Sequence, residues 1–248
     1  MAKMTMVQAI NLALHQEMEK DQTVVVLGED VGINGGVFRV TEGLFEKFGR
    51  DRVIDSPLAE SSILGTSIGM AIAGLKPVAE MQFDGFSYLS LPILEAQGSR
   101  IRSRTRSRYH VPLVVRMPYG SGVHAIEHHS ESKETYFAHT PGVKTVIPST
   151  PRKARALLVA AIRDPDPVVF MEPKRSYRSF KEEVPDEEEV MEIGVADIIY
   201  EGDDITLIGW GAMTRVSSFT ENPGVSASTT KALSPLDPFS GSVLAKTV

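Results

Sequence analysis

The chain has no cysteine, a single tryptophan among 248 residues, and fewer basic than acidic side chains, 26 against 32, for a net charge of −6. Without thiols there is no disulfide, no thiolate metal site and no cysteine nucleophile. The acidic balance argues against nucleic acid as the main partner, because phosphate binding depends on clustered Lys and Arg. No apolar run approaches the ~20 residues that cross a bilayer, and the amino terminus carries one Lys and no apolar signal core. The expectation is a cytoplasmic protein with no membrane contact. Neither a Rossmann nor a P-loop spacing occurs, so the glycine-rich stretch Gly32 to Gly36 reads as a loop. What remains is ordinary globular composition, 42% hydrophobic and 23% charged, with length for one large or two modest domains.

Met6 to Met18 has apolar residues at helical spacing and begins after Thr5, a natural cap. Thr23 to Leu27, closed by Gly28, has the form of a parallel strand buried on both faces. A helix followed by a buried strand opens an α/β layer. Glu29 and Asp30 lie just past that strand, at the edge where open α/β sheets bind ligands, although a solvated loop would look the same. Thr41 to Phe48 reads as a short helix and Arg52 to Ile54 as the next strand.

The stretch Asp55-Ser56-Pro57-Leu58-Ala59-Glu60-Ser61-Ser62 then sets a carboxylate at a strand-to-helix junction. Pro57 delays the helix, and Ile63 to Ile72, with Gly65, Gly69 and Gly74 nearby, predict a helix packed closely through small residues. Glu60 falls in its first turn, where the helix dipole favours a carboxylate and the apolar run shields it. An isolated glutamate there is more often an ordinary solvated helix end.

Pro77 to Phe83 reads as a strand whose closing alternation aims Phe83 and Phe86 differently; by periodicity alone Phe86 is core. Arg100 to Arg108 carries five arginines at alternate positions, between a helix and the strand Val111 to Arg116. Such a run suits an RNA arm or, in an acidic protein, an acidic partner subunit. His124, His128, His129 and His139 match no zinc signature. Thr150-Pro151 caps a helix from Arg152 to Ile162, and Asp164-Pro165-Asp166-Pro167 is a turn before a strand from Val168. Lys181 to Glu192 turns acidic and reads as a solvated linker.

Several segments occur in an order that resembles one family: Met4-Thr5-Met6-Val7-Gln8-Ala9-Ile10-Asn11, Val26-Leu27-Gly28-Glu29-Asp30-Val31-Gly32, Gly35-Gly36-Val37-Phe38, the Glu60 stretch, Glu80-Met81-Gln82-Phe83, His128-His129-Ser130, Val146-Ile147-Pro148-Ser149-Thr150-Pro151, Asp164-Pro165-Asp166-Pro167 and Glu172-Pro173-Lys174-Arg175. Together they resemble the beta subunits of thiamine-diphosphate-dependent 2-oxo acid dehydrogenases of the pyruvate and branched-chain complexes. The resemblance covers residues 4 to about 215. It implies catalytic roles for Glu60 and His129 and cofactor contacts from Glu29, Glu60, Gln82 and Phe86, the last stacking on the aminopyrimidine. It also implies a structural K⁺ on the Leu113 and Ala161 carbonyls with Asp164 and Asp166. Mg²⁺ would be held mainly by an alpha subunit in an α2β2 heterotetramer, because the Gly-Asp-Gly motif of the diphosphate site is missing here. The acyl product would pass to a lipoyl-bearing acyltransferase core.

The fold expected is α/β, a mostly parallel sheet with helices on both faces in a transketolase-like pyrimidine-binding domain over residues 1–180. An acidic linker over 181–200 and an incomplete second α/β domain over 201–248 come next, since Val216 to Thr230 is Ser/Thr-rich and departs from the family. The expected function is oxidative decarboxylation of a 2-oxo acid. A catalytically silent assembly or regulatory subunit and an RNA-contacting protein are the other readings.

Overall fold

The computed structural model describes residues 1–121, 125–199, 201 and 207–214, and the backbone of 230–232. In chain order the elements are β1 (Ala2–Met4), α1 (Met6–Lys20), β2 (Val24–Gly28), α2 (Leu44–Phe48), β3 (Val53–Asp55), α3 (Glu60–Ile72) and β4 (Lys76–Glu80). A 3₁₀ turn (Asp84–Leu89), α4 (Leu91–Ile93), a π-helical turn (Leu94–Gly98) and α5 (Ile101–Arg104) lead to β5 (Val114–Tyr119). Then come α6 (Glu134–Ala138), β6 (Lys144–Val146), α7 (Pro151–Arg163), β7 (Val168–Pro173) and β8 (Glu182–Val184). Three short strands, β9 (Asp197–Ile198), β10 (Leu207–Gly209) and β11 (Thr230–Ala232), form a separate small sheet in the order β10-β11-β9.

The main sheet has six strands in the order β3-β2-β4-β5-β7-β6, all parallel. Strand side chains alternate between two cores. Val24, Val26, Val78, Val114, Val168 and Phe170 face α1 and α7, whereas Leu27, Ala79, Val115, Met117, Val169 and Met171 face α3 and its neighbours. Burial on both faces explains why these strands read as continuous apolar runs. The connection from β2 goes outward to β3 and then returns across β2 to β4, so the strand order reverses between β2 and β4. That reversal opens a crevice at the carboxyl ends of the strands, where ligands bind in open α/β sheets.

Local signals account for the best-defined helices. At α1 the Thr5 hydroxyl accepts from the Gln8 amide, and the Gln8 side chain accepts from the Thr5 amide in return. At α7 Thr150 accepts from Lys153 and Pro151 occupies the first turn.

Several expectations change. The strand expected to reach Phe83 ends at Glu80, and 84–89 winds into the 3₁₀ turn. Phe83 and Phe86 are therefore one three-residue turn apart and share a face, their rings 5.4 Å apart, instead of pointing different ways. Gly65 and Gly69 do not mediate close packing: a Cβ at either would meet nothing within 4 Å. The acidic segment is exposed at Glu183, Asp186, Glu187, Glu188 and Glu192 but is also tied to the domain. Its β8 pairs antiparallel with β1, Glu189 accepts from Arg152 at 2.7 Å and Glu188 from Arg163 at 2.6 Å. Opposite charge on α7 draws it onto the domain. Val216 to Thr229, the tail from Leu233 and His124 lie outside the described residues. Among the described residues no helix is long and apolar enough to cross a membrane.

Candidate active site

The crevice is lined by the residues just past each strand. Beyond β2 comes Glu29, 7% exposed, and beyond β3 the first residue of α3 is Glu60, 5% exposed. Oε1 of Glu29 and Oε2 of Glu60 are buried and have no hydrogen-bond partner. Burial, then the negative charges of Glu60 and Asp30, push the Glu29 carboxyl above its usual range, while the amide of Ala59 at the start of α3 works the other way. An orphaned oxygen on each of these two buried carboxyl groups calls for a hydrogen-bonding ligand. Nearby, Gln82 Nε2 donates to Asp30 Oδ2 at 3.1 Å. Asp55 accepts from the Gly32 amide at 2.6 Å and so ties the glycine loop to β3. A side chain at position 32 would collide with that carboxylate, its Cβ 2.6 Å from Oδ2.

The second group of residues gathers beyond β4 and β5. His129 packs against Phe83 with ring centres 4.5 Å apart and against Phe86 at 5.2 Å. Its Nδ1 lies 3.0 Å from the Glu127 carbonyl oxygen. A carbonyl only accepts, so Nδ1 is the donor in this contact, and Nε2 is left for another partner. His128 is exposed and turned differently, at φ 66. Glu29 and Glu60 thus act on one another at the crevice, Gln82 is held to the neighbouring Asp30, and Phe86 and His129 meet at the adjoining turn.

The residues expected to hold K⁺ come together but do not fit a cation. Asp164 is paired with Lys144 Nζ at 2.6 Å, and Asp166 with Arg102. The Leu113 carbonyl accepts from Val168 at 2.8 Å and that of Ala161 from Asp164 at 3.3 Å. A hard cation needs about six oxygen ligands, and here protein ammonium and guanidinium groups already neutralise the carboxylates. Among the described residues no cluster of His, Asp and Glu suits a metal ion.

Two buried charge groups escape a reading of the sequence. Glu80 and Glu172, near the carboxyl ends of β4 and β7, stand at matching parity with Arg116 inside β5, and Arg116 donates to Glu80 at 2.7 Å and to Glu172 at 2.7 and 3.0 Å. Burial opposes the Arg116 charge, but Glu172 and Glu80 outweigh it and push its pKa up; burial pushes Glu80 up as well. The signal available in the sequence is a charged residue set among the apolar residues of each strand, at the tail of β4 and β7 and within β5. The other group is Asp84 with Lys133 and Lys174, where burial pushes the Asp84 carboxyl up to about 7 against the pull of Lys174 and Lys133.

A sheet of this order with acidic groups at its reversal point defines a cofactor-binding α/β domain. Residues 2–179 match the family model of the transketolase pyrimidine-binding domain. The chain is 53% identical over 215 residues to the pyruvate dehydrogenase E1 component subunit beta of Acholeplasma laidlawii, covering 87% of this chain and 66% of that protein. It is 49% identical over 243 residues to the protein of that name from Bacillus subtilis, 96% of this chain and 75% of that one. Identity to the 2-oxoisovalerate dehydrogenase subunit beta of Bacillus subtilis is 49% over 231 residues, 92% and 71% of the two. A solved structure titled split gene transketolase, inactive beta4 tetramer, shares the fold with a TM-score of 0.74 at 19% identity, over 96% of this chain and 73% of that one. The chain belongs to the beta subunits of the thiamine-diphosphate-dependent 2-oxo acid dehydrogenases, with a transketolase-like pyrimidine-binding domain.

Proposed function

We propose that this chain supplies the pyrimidine half of a thiamine-diphosphate site in an oxidoreductase that decarboxylates pyruvate or a branched-chain 2-oxo acid. The observation that carries the proposal is the pair of buried, unpartnered oxygens of Glu29 and Glu60 at the sheet's reversal point. When bound, the cofactor supplies an electron sink for the carbanion left by loss of carbon dioxide. Glu60, buried in the first turn of α3, would meet the pyrimidine ring nitrogen and supply it with a proton. Glu29 and Gln82 line the same crevice. The ring of Phe86 offers an apolar face to a flat heterocycle. His129, with Nδ1 engaged by Glu127, holds or moves a proton at Nε2 during acyl transfer.

Mg²⁺ and the diphosphate belong to an alpha subunit in an α2β2 heterotetramer, because this sequence has no Gly-Asp-Gly, and the acyl group passes to a lipoyl-bearing core. Residues 1–180 form the pyrimidine-binding domain, 181–200 its docked acidic extension and 201–248 part of a second domain. K⁺ has no role in this reading, since Lys144 and Arg102 occupy its carboxylates. The test is calorimetric: the chain alone binds thiamine diphosphate with Mg²⁺ weakly or not at all and gains affinity once the alpha subunit is added. Tight Mg²⁺-dependent binding by the isolated chain would refute the half-site.

A further inference from the structure

The segment from Ala125 to Lys133 carries His129 but belongs to no helix or strand, so its position depends on one main-chain bond, from the Gly120 amide past β5 to the Glu131 carbonyl at 2.7 Å, and on contacts with its surroundings. Those contacts converge on the 3₁₀ turn after β4. At Gly85 the main chain of His128 fills the space a side chain would take: a Cβ there would stand 2.2 Å from the His128 carbonyl oxygen. His128 adopts φ 66 at this seat, a left-handed conformation that any residue with a Cβ disfavours.

Next to Gly85, Asp84 is 0% exposed; its carboxyl oxygens meet no side-chain hydrogen-bond donor, and the backbone amides of Lys133 and Gly85 act on them. The ammonium groups of Lys174 and Lys133 act on it through space, without a direct ion pair. Lys133, 2% exposed, ends the His129 segment, and its Nζ lies 3.4 Å above the ring of Tyr88 in the same 3₁₀ turn. Lys174, 8% exposed, comes from the end of β7; it donates to the main-chain oxygen of His129 and sits 5.1 Å over the ring of Phe83. Glu131, within the segment, is the other carboxylate acting on both lysines. Any one of these buried charges alone would be costly, and each offsets the others only while the segment stays down.

We propose that Asp84, Lys133 and Lys174 form a buried clasp that seats the His129 segment on the turn after β4, with Asp84 as a positioning residue. The clasp touches no reacting atom. Its catalytic consequence rests on His129 working at the active site, whereas the seating itself does not.

Amide exchange and histidine ring resonances of the full-length chain test it. In Asp84→Ala, exchange across 125–133 rises by about tenfold or more while β5 and β7 stay protected, since local opening is governed by the contacts that hold a segment. The His129 resonances move and those of His15 do not. Lys174→Ala, which removes the donor to the His129 carbonyl, reproduces this pattern, and Asp84→Asn gives it in weaker form. With the alpha subunit present, Asp84→Ala lowers kcat by about tenfold and leaves KM within about twofold, the mark of a group acting in the transition state and not in binding. Should Asp84→Ala fail to fold, the Asn and Lys174 variants decide. Unchanged exchange at 125–133 with unmoved His129 resonances in both would overturn the clasp. A loosened segment with full turnover, alongside a fully active His129→Ala, would instead strike the role given to His129 and leave the clasp standing.

Discussion

Arg116 grips Glu172 through two hydrogen bonds, Nε to Oε1 at 2.7 Å and Nη2 to Oε2 at 3.0 Å, inside a sheet where neither residue is more than 1% exposed. Tyr177 completes the arrangement by donating to Glu172 Oε2 at 2.5 Å. Removing the guanidinium would strand Glu80 and Glu172 as unpaired carboxylates between β4 and β7. Arg116→Ala is therefore expected to cost about 3–5 kcal/mol, the usual range for breaking a buried pair. Arg116→Lys recovers little, because one ammonium cannot match the fork. Urea unfolding of the three proteins measures this, and a loss under about 1 kcal/mol would show the group to be dispensable.

Glu60→Gln keeps the size of the side chain and removes the proton that the proposed role requires. Turnover of the assembled enzyme should fall by about 10²–10⁴, the range for general acid catalysis, with thermal stability nearly unchanged. Hydrogen–deuterium exchange at the thiazolium carbon of the bound cofactor reads activation directly. If exchange persists while the midpoint drops, Glu60 serves only the helix end.

The Glu29 carboxyl, raised by burial and then by Glu60 and Asp30, makes stability depend on pH in a definite sense. Its folded pKa exceeds the unfolded value of about 4.3, so the folded chain holds the proton to higher pH and loses stability as pH climbs through that window. Glu29→Gln stays neutral. Its melting temperature relative to wild type should rise between pH 4 and pH 8, and a difference that does not change with pH would mean the burial of Glu29 has no energetic effect.

Because Lys144 and Arg102 already hold Asp164 and Asp166, melting of the chain in KCl and in NaCl at equal ionic strength should agree within about 1 °C, whereas a ligand that binds only the folded state raises the midpoint with its concentration. A K⁺-specific rise would show that the two cationic side chains yield to the ion.

Much of the architecture is legible where local chemistry decides it. Thr5 with Gln8, and Thr150 with Pro151, mark their helix starts by capping alone, and Val24 to Gly28 reads as a doubly buried strand because it is one. Glu29 and Glu60 fall at strand and helix ends that such signals define, so their approach to the crevice could be read from the sequence. Tertiary contacts hide the rest. Phe83 and Phe86 meet because a 3₁₀ turn replaces the strand period. Acidic residues 182–189 suggest solvent until Arg152 and Arg163 on α7 claim them. Asp84, Lys133 and Lys174 are far apart in sequence, and nothing local says that charges will be buried together.

The pairing of β1 with β8, Ala2 opposite Val184 and Met4 opposite Glu182, brings the two ends of the pyrimidine-binding body to one seam. A seam of this kind leaves the main sheet complete without any strand from beyond residue 184, although Met191 and Ile193 still pack on its core. Chain added or exchanged beyond residue 184 need not thread back through the sheet, so evolution or a designer can vary the downstream module without re-registering a strand that carries Glu29, Arg116 or Glu172.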